Sequence, residues 1–163
     1  MSNFLGTHRS KILDRTAITY RDIQVGDVLE FRYRGKKSNS TKLKIVIVIN
    51  IYPVRGSWKN KKVHAFDLEK LAPGVLKRIL NRIGTPMLEL DERKNKEVVK
   101  VNIKESGLKG EIFYRKVASK FNDYDAYRTY IATEMKSIKL VEYDFQHKQL
   151  GLKDENLLQD TDT

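Results

Sequence analysis

The sequence predicts an α+β domain, a small bent antiparallel sheet or partial SH3-like barrel near the N-terminus with two or three helices packed against it. Three observations predict it. Short alternating and β-branched runs crowd into residues 28–66, the apolar period switches to that of a helix after Asp67, and Gly, Pro and Asn residues punctuate the joins.

Val28 to Arg34, after Gly26–Asp27, alternates as a half-buried strand, with Leu29, Phe31 and Tyr33 on one face and Glu30, Arg32 and Arg34 on the other. Gly35 to Thr41 is polar, small or basic and reads as a loop. Leu43 to Tyr52 is a near-continuous β-branched run, as in a central strand covered on both sides. Pro53, which has no ladder donor, and Gly56–Ser57 end it, and Lys62 to Phe66 supplies a third strand paired back across that loop.

Leu68, Leu71, Val75, Ile79 and Ile83 then share one helical face. Pro73 suits the first helical position and Gly84 the position past the end, so a helix is predicted between them. Residues 85–111 read as a charged excursion with one strand, Glu97 to Ile103, and Phe113 to Phe121 as a short helix. Tyr124, Tyr127, Ile131, Met135 and Ile138 recur at three- and four-residue intervals, which predicts a further helical segment capped by Asp123 or Asp125. Leu140 to Phe145 alternates like an edge strand. Residues 1–20 read as a polar arm that orders against a partner, 21–145 as a single domain, and 146–163 as an acidic, disordered tail.

Charge decides more than periodicity about function. The 163 residues carry 32 Lys and Arg against 21 Asp and Glu, a formal +11, and no Cys. Without Cys there is no disulfide, thiolate zinc site, iron–sulfur cluster or thiol nucleophile. His8, His64 and His147 are too scattered to form a metal site by spacing, and no cofactor or metal is expected. The longest apolar run, Ile45 to Ile49, falls far short of the roughly 18 residues that cross a membrane, and residues 1–10 lack the apolar stretch of a secretory signal.

The excess charge is localised. Residues 1–62 hold 14 Lys and Arg and 4 Asp and Glu, a net of +10, whereas 63–163 hold 18 and 17, a net of +1. Arg32, Arg34, Lys36, Lys37, Lys42 and Lys44 lie on and around one loop; Lys59, Lys61 and Lys62, with Arg55, crowd the next. Two adjacent loops of one sign concentrate a positive field for a polyanion, although lysine-rich loops also serve solubility alone. Trp58 stands among the second set, where its ring either stacks on an unpaired base or folds back as a lid on the core. Tyr114, Tyr124, Tyr127 and Tyr130 beside Arg115 and Arg128 have a spacing that favours packing.

Catalytic patterns fail on inspection. Gly35–Lys36–Lys37–Ser38 mimics part of a phosphate loop, but Glu30 stands where the first Gly belongs and Lys37 where a hydroxyl is needed. Ser57 after Gly56 has no downstream Gly to make a nucleophile elbow. Asp91, Glu97 and Lys100 have the residue types of a magnesium-dependent nuclease at the wrong interval.

The strand Gly26–Asp27–Val28–Leu29–Glu30–Phe31–Arg32–Tyr33, the segment His64–Ala65–Phe66–Asp67–Leu68–Glu69–Lys70–Leu71 before a helix, and Tyr127–Arg128–Thr129–Tyr130 resemble the order of landmarks in small proteins of large tailed bacteriophages. The resemblance spans roughly residues 22–145, implies a viral genome, carries over no catalytic residue, and does not extend to the lysine-rich loop at 36–44. The expectation is a non-catalytic protein of the host cytoplasm or virion that does not enter membranes. It binds nucleic acid, DNA ahead of RNA, through Arg32, Arg34, Lys36, Lys37, Lys42, Lys44, Lys59, Lys61 and Lys62, with Trp58 stacking. The rival expectations are a virion assembly component whose basic loops meet an acidic viral protein, and a metal-dependent nuclease.

Overall fold

Alternation and β-branching build the centre of the molecule. The structure, a computed structural model, describes residues 5–34, 41–104 and 126–145. Its elements run α1 (Leu5–Arg9), β1 (Ile12–Ala17), β2 (Val28–Tyr33), β3 (Lys42–Tyr52), β4 (Lys62–Asp67), α2 (Pro73–Ile83), β5 (Gly84–Asp91), β6 (Lys96–Ile103), β7 (Tyr127–Ile131) and β8 (Lys136–Tyr143), with short 3-10 turns at Tyr20–Asp22, Trp58–Asn60, Leu68–Lys70 and Ala132–Glu134. Six strands form one antiparallel sheet in the order β1-β8-β2-β3-β4-β7, and β5 and β6 make a separate hairpin.

The six-stranded sheet is strongly curled. Tyr130 on β7 is three strands from Phe31 on β2, about 14 Å in a flat sheet at about 4.8 Å per strand. Yet their rings lie 5.0 Å apart, and Tyr130 is 4.9 Å from Tyr33. The curl encloses one core of Leu29, Phe31, Val46, Val48, Val63 and Tyr130. On the other face Val28, Ile45, Ile47, Ile49 and Phe66 pack beneath α2 and the hairpin residues Val101 and Ile103. β3 buries both faces, which is why its sequence is β-branched throughout.

Two contacts set the hairpin on this core. Gly26 (φ +95°) meets β6 so closely that a Cβ would stand 2.1 Å from the Val101 carbonyl oxygen. Arg93, in the hairpin turn, donates to both Asp27 oxygens at 2.7 and 2.8 Å, both Asp91 oxygens at 2.9 and 2.8 Å, and the Asp22 carbonyl at 2.8 Å. The short helix α1 docks through buried His8. Its Nε2–H donates to the Leu71 carbonyl at 2.7 Å, which leaves Nδ1 to accept from the Tyr143 hydroxyl at 2.6 Å.

The α+β expectation is thereby corrected. The chain is mostly β, with two α-helices among the described residues, and only α2 packs on the sheet as a full helix. Tyr127, Ile131, Met135 and Ile138 belong to two strands joined by a 3-10 turn, and that connection imitates a helical period. The charged excursion is the β5–β6 hairpin, turned at Asn95 in the left-handed region. Residues 12–17, read as part of an arm, pair with β8, which is therefore an interior strand and not an edge. The helix expected at 113–121, the Asp123 and Asp125 caps expected for the segment that follows it, and the tail 146–163 lie outside the described residues.

Candidate nucleic-acid interface

The two basic loops leave opposite ends of β3, an 11-residue strand, so pairing along the sheet alone would hold them apart. The curl reunites them. The backbone N–H of Ile131 donates to the Tyr33 hydroxyl at 3.1 Å, and the next N–H, that of Ala132, donates to the Lys61 carbonyl at 3.2 Å. Consecutive amides at the end of β7 thus bind the end of β2 and the start of β4.

Arg32, Arg34, Lys42, Lys59 and Lys62 are exposed around this junction, and among the described residues no carboxylate pairs with them. Arg32 stands directly opposite exposed Lys136 on β8. Like charges facing across a ladder destabilise the pair by about 0.2–1 kcal/mol, a cost that a bound anion would relieve. Exposed Glu134 is the acidic exception in the turn between the two segments.

Three sequence candidates also make contacts within the fold. Lys61 is 6% exposed, and its Nζ donates to the Pro53 and Val54 carbonyls at 2.8 and 2.7 Å, closing the β3–β4 loop from within. Trp58 turns back onto the inner core, edge-on to Tyr20 with ring centroids 6.2 Å apart, and the Lys61 ammonium lies 5.3 Å from its ring centre. Half-buried Trp58 thus packs against the core in the manner of a lid. Lys44 is 23% exposed and points its Nζ to 3.7 Å from Asp67 Oδ2. Lys36 and Lys37, like Tyr114, Arg115 and Tyr124, lie outside the described residues.

Asp67 is the buried charge of this region. Its Oδ1 accepts from the Glu69 backbone N–H at 3.1 Å and caps the 3-10 turn, while Oδ2 has no hydrogen bond. Burial pushes its carboxyl above the usual range, against the pull of Lys44 and the Glu69 N–H. His64 is buried, its Nδ1 3.1 Å from the Thr129 hydroxyl, and burial, then the charge of Lys62, holds its imidazole below the ordinary value.

The nuclease constellation does not assemble. Asp91 faces with Lys96 and Lys100 on one side of the hairpin, whereas Glu97 pairs with Leu90 on the other. Arg93 grips both Asp91 oxygens and, although burial opposes it, holds that carboxyl below the usual range. Among the described residues no group of three or more acidic or His side chains gathers as a metal site. Sequence reasoning missed Lys136 and Asp67: the first gains meaning only from the β2–β8 register, and the second reads locally as a turn cap. No family model, curated protein or solved structure matches the chain.

Proposed function

We propose that this protein binds nucleic acid, DNA ahead of RNA, through phosphate contacts, as a non-catalytic phage-type protein working in the host cytoplasm or virion. One observation carries the reading: consecutive amides of β7 and the following turn tie Tyr33 to Lys61, so basic segments from opposite ends of β3 share one surface. Arg32, Arg34, Lys42, Lys59 and Lys62 contact phosphates directly, Lys136 joins them, and Lys44 reaches out from the rim. Lys61 and Trp58 shape the loop from inside. Backbone charge, not base identity, dominates such an interface, so sequence preference is weak.

Fluorescence anisotropy with labelled single- and double-stranded oligonucleotides tests it. Each neutralised phosphate adds about 0.9 to the slope of log affinity against log salt on duplex DNA, so affinity should collapse between about 50 and 200 mM salt. Absence of DNA or RNA binding at low salt sinks the proposal. A second reading, an acidic protein partner on the same surface, gains from the packing of Trp58 against the core, which leaves less of its ring for a base. It predicts a stable complex that survives nuclease treatment.

A further inference from the structure

Among the described residues, buried Asp67 beside Lys44 has an incompletely compensated charge. It is wholly buried, one oxygen is spent on the Glu69 N–H, and among the described residues the other has a single cation in ion-pair range, Lys44 at 3.7 Å. Lys44 is itself partly exposed at the start of β3, beside exposed Lys42. It can therefore satisfy Asp67 or a phosphate at the rim, and a four-carbon stem with a point charge at its end can swing between the two.

We propose that nucleic-acid binding by this protein is coupled to proton uptake at Asp67: Lys44 leaves the carboxylate for a phosphate, and Asp67 Oδ2 takes one proton from solvent. No covalent bond changes; one proton moves from water to the carboxylate for each complex in which Lys44 is recruited. The coupling rests on the nucleic-acid reading above and adds a regulatory property to that surface.

The other charges around Asp67 do not replace Lys44. Glu69, in the turn that Asp67 caps, opposes ionisation, and Arg128 on β7 favours it from longer range but is itself exposed and open to phosphate. Tyr130 on β7 is buried, and burial, then the field of Asp67, pushes its hydroxyl up, so it stays neutral beside the carboxylate. Tyr33 on β2 is engaged by the Ile131 N–H, and His8 from α1 feels Asp67, while burial, the larger influence, holds its imidazole below the ordinary value. Burial already biases Asp67 toward the protonated form in the free protein, and losing the Lys44 counter-charge pushes it further in the same direction.

The sign follows from linkage. Below the pKa of Asp67 in the free protein the group is protonated in both states and affinity is independent of pH; above it, affinity falls by up to tenfold per pH unit until the pKa of the complex is passed. Anisotropy titrations of the full chain with a single-stranded DNA oligonucleotide, from about pH 4 to about pH 8, give that slope against the ordinary carboxylate range. Calorimetry in two buffers of different ionisation enthalpy counts the protons.

The expected result is uptake approaching one proton per complex in the wild type and none in Asp67→Asn, which keeps the oxygen that caps the turn. Lys44→Gln loses the uptake as well and covers the case in which Asp67→Asn misfolds. His64→Gln controls for the neighbouring imidazole beside Lys62 and keeps the uptake. Binding without proton uptake in the wild type, or uptake that persists in Asp67→Asn or vanishes in His64→Gln, overturns the coupling while the interface stands. No binding at any pH overturns both.

Discussion

Two buried charge clusters in this molecule are built on opposite principles. Around Arg93 every donor and acceptor is matched: five N–H groups meet four carboxylate oxygens and one carbonyl. Around Asp67, among the described residues, one oxygen lacks a hydrogen bond and the lone ion-pair partner is a partly exposed lysine. A saturated cluster has nothing to offer a ligand and fixes geometry; an unsaturated one stores a demand that another group can meet. The first holds the β5–β6 hairpin on the sheet, and the second lies beside the basic surface. Conditions and substitutions that separate the two should therefore separate stability from binding.

The largest expected effect belongs to the saturated cluster. Arg93→Ala strands Asp27 and Asp91 in a buried site and should lower stability by about 3–5 kcal/mol, read from urea unfolding. Arg93→Lys should recover only part of it, because three donors on one nitrogen cannot span two carboxylates. Gly26→Ala attacks the same junction without touching charge. Its Cβ would overlap the Val101 carbonyl at a φ of +95°, and a loss of about 2–4 kcal/mol is expected from strain and displacement of β6. If Gly26→Ala melts with the wild type, the close approach of hairpin and sheet is wrong.

Neighbouring lysines sharpen the contrast on a smaller scale. Lys61→Ala removes two charge-assisted hydrogen bonds inside the β3–β4 loop and should cost about 1.5–3 kcal/mol while leaving the salt slope of DNA binding nearly intact. Lys62→Ala should do the reverse: stability within about 0.5 kcal/mol of wild type, and a salt slope smaller by about 1. It should also raise the His64 pKa, since Lys62 is one of the charges that hold it down, and the His64 ring resonances report this across a pH titration. A pair of variants with the two phenotypes exchanged would place the phosphate contacts inside the loop and not on its surface.

Periodicity made β2, β3, β4 and α2 legible because each buries a face that its own sequence displays. β1 was not, since it is an edge strand on which only Ile12 and Thr16 are even half-buried, and its polar residues show no alternation. The run 127–138 misled for a different reason. Two strands joined by the turn Ala132–Glu134 place apolar residues at intervals that a helix also produces, and only pairing partners distinguish the cases. At the surface, sequence located the positive charge but not its division of labour. Lys61 and Lys62 are adjacent and identical in type, yet one is turned to the Pro53 and Val54 carbonyls and the other to solvent. The meeting of the two loops was invisible for a further reason: it depends on the curl that brings Tyr33 to Ile131 from a strand 98 positions earlier.

The smallest effect is the most discriminating, because pH acts on the two clusters with opposite signs. Asp91 is held below its ordinary pKa by Arg93, so its contribution to stability is present above about pH 4 and is lost as pH falls through its folded value. Asp67 is raised by burial, so its ionised form costs stability above its folded pKa, and that cost disappears as pH falls to the unfolded value. Melting temperatures of wild type and Asp67→Asn between about pH 7 and about pH 3 isolate the second term by difference. The variant escapes the cost of a buried carboxylate at neutral pH but gains nothing from acid. Its stability relative to wild type should therefore decline as pH is lowered, whatever offset the new amide introduces. Arg93→Ala must not reproduce that decline, since it alters the other cluster. A constant difference between wild type and Asp67→Asn would mean that burial does not shift Asp67, and a difference that rises in acid would mean that it is held down as Asp91 is; either outcome removes the distinction between the clusters.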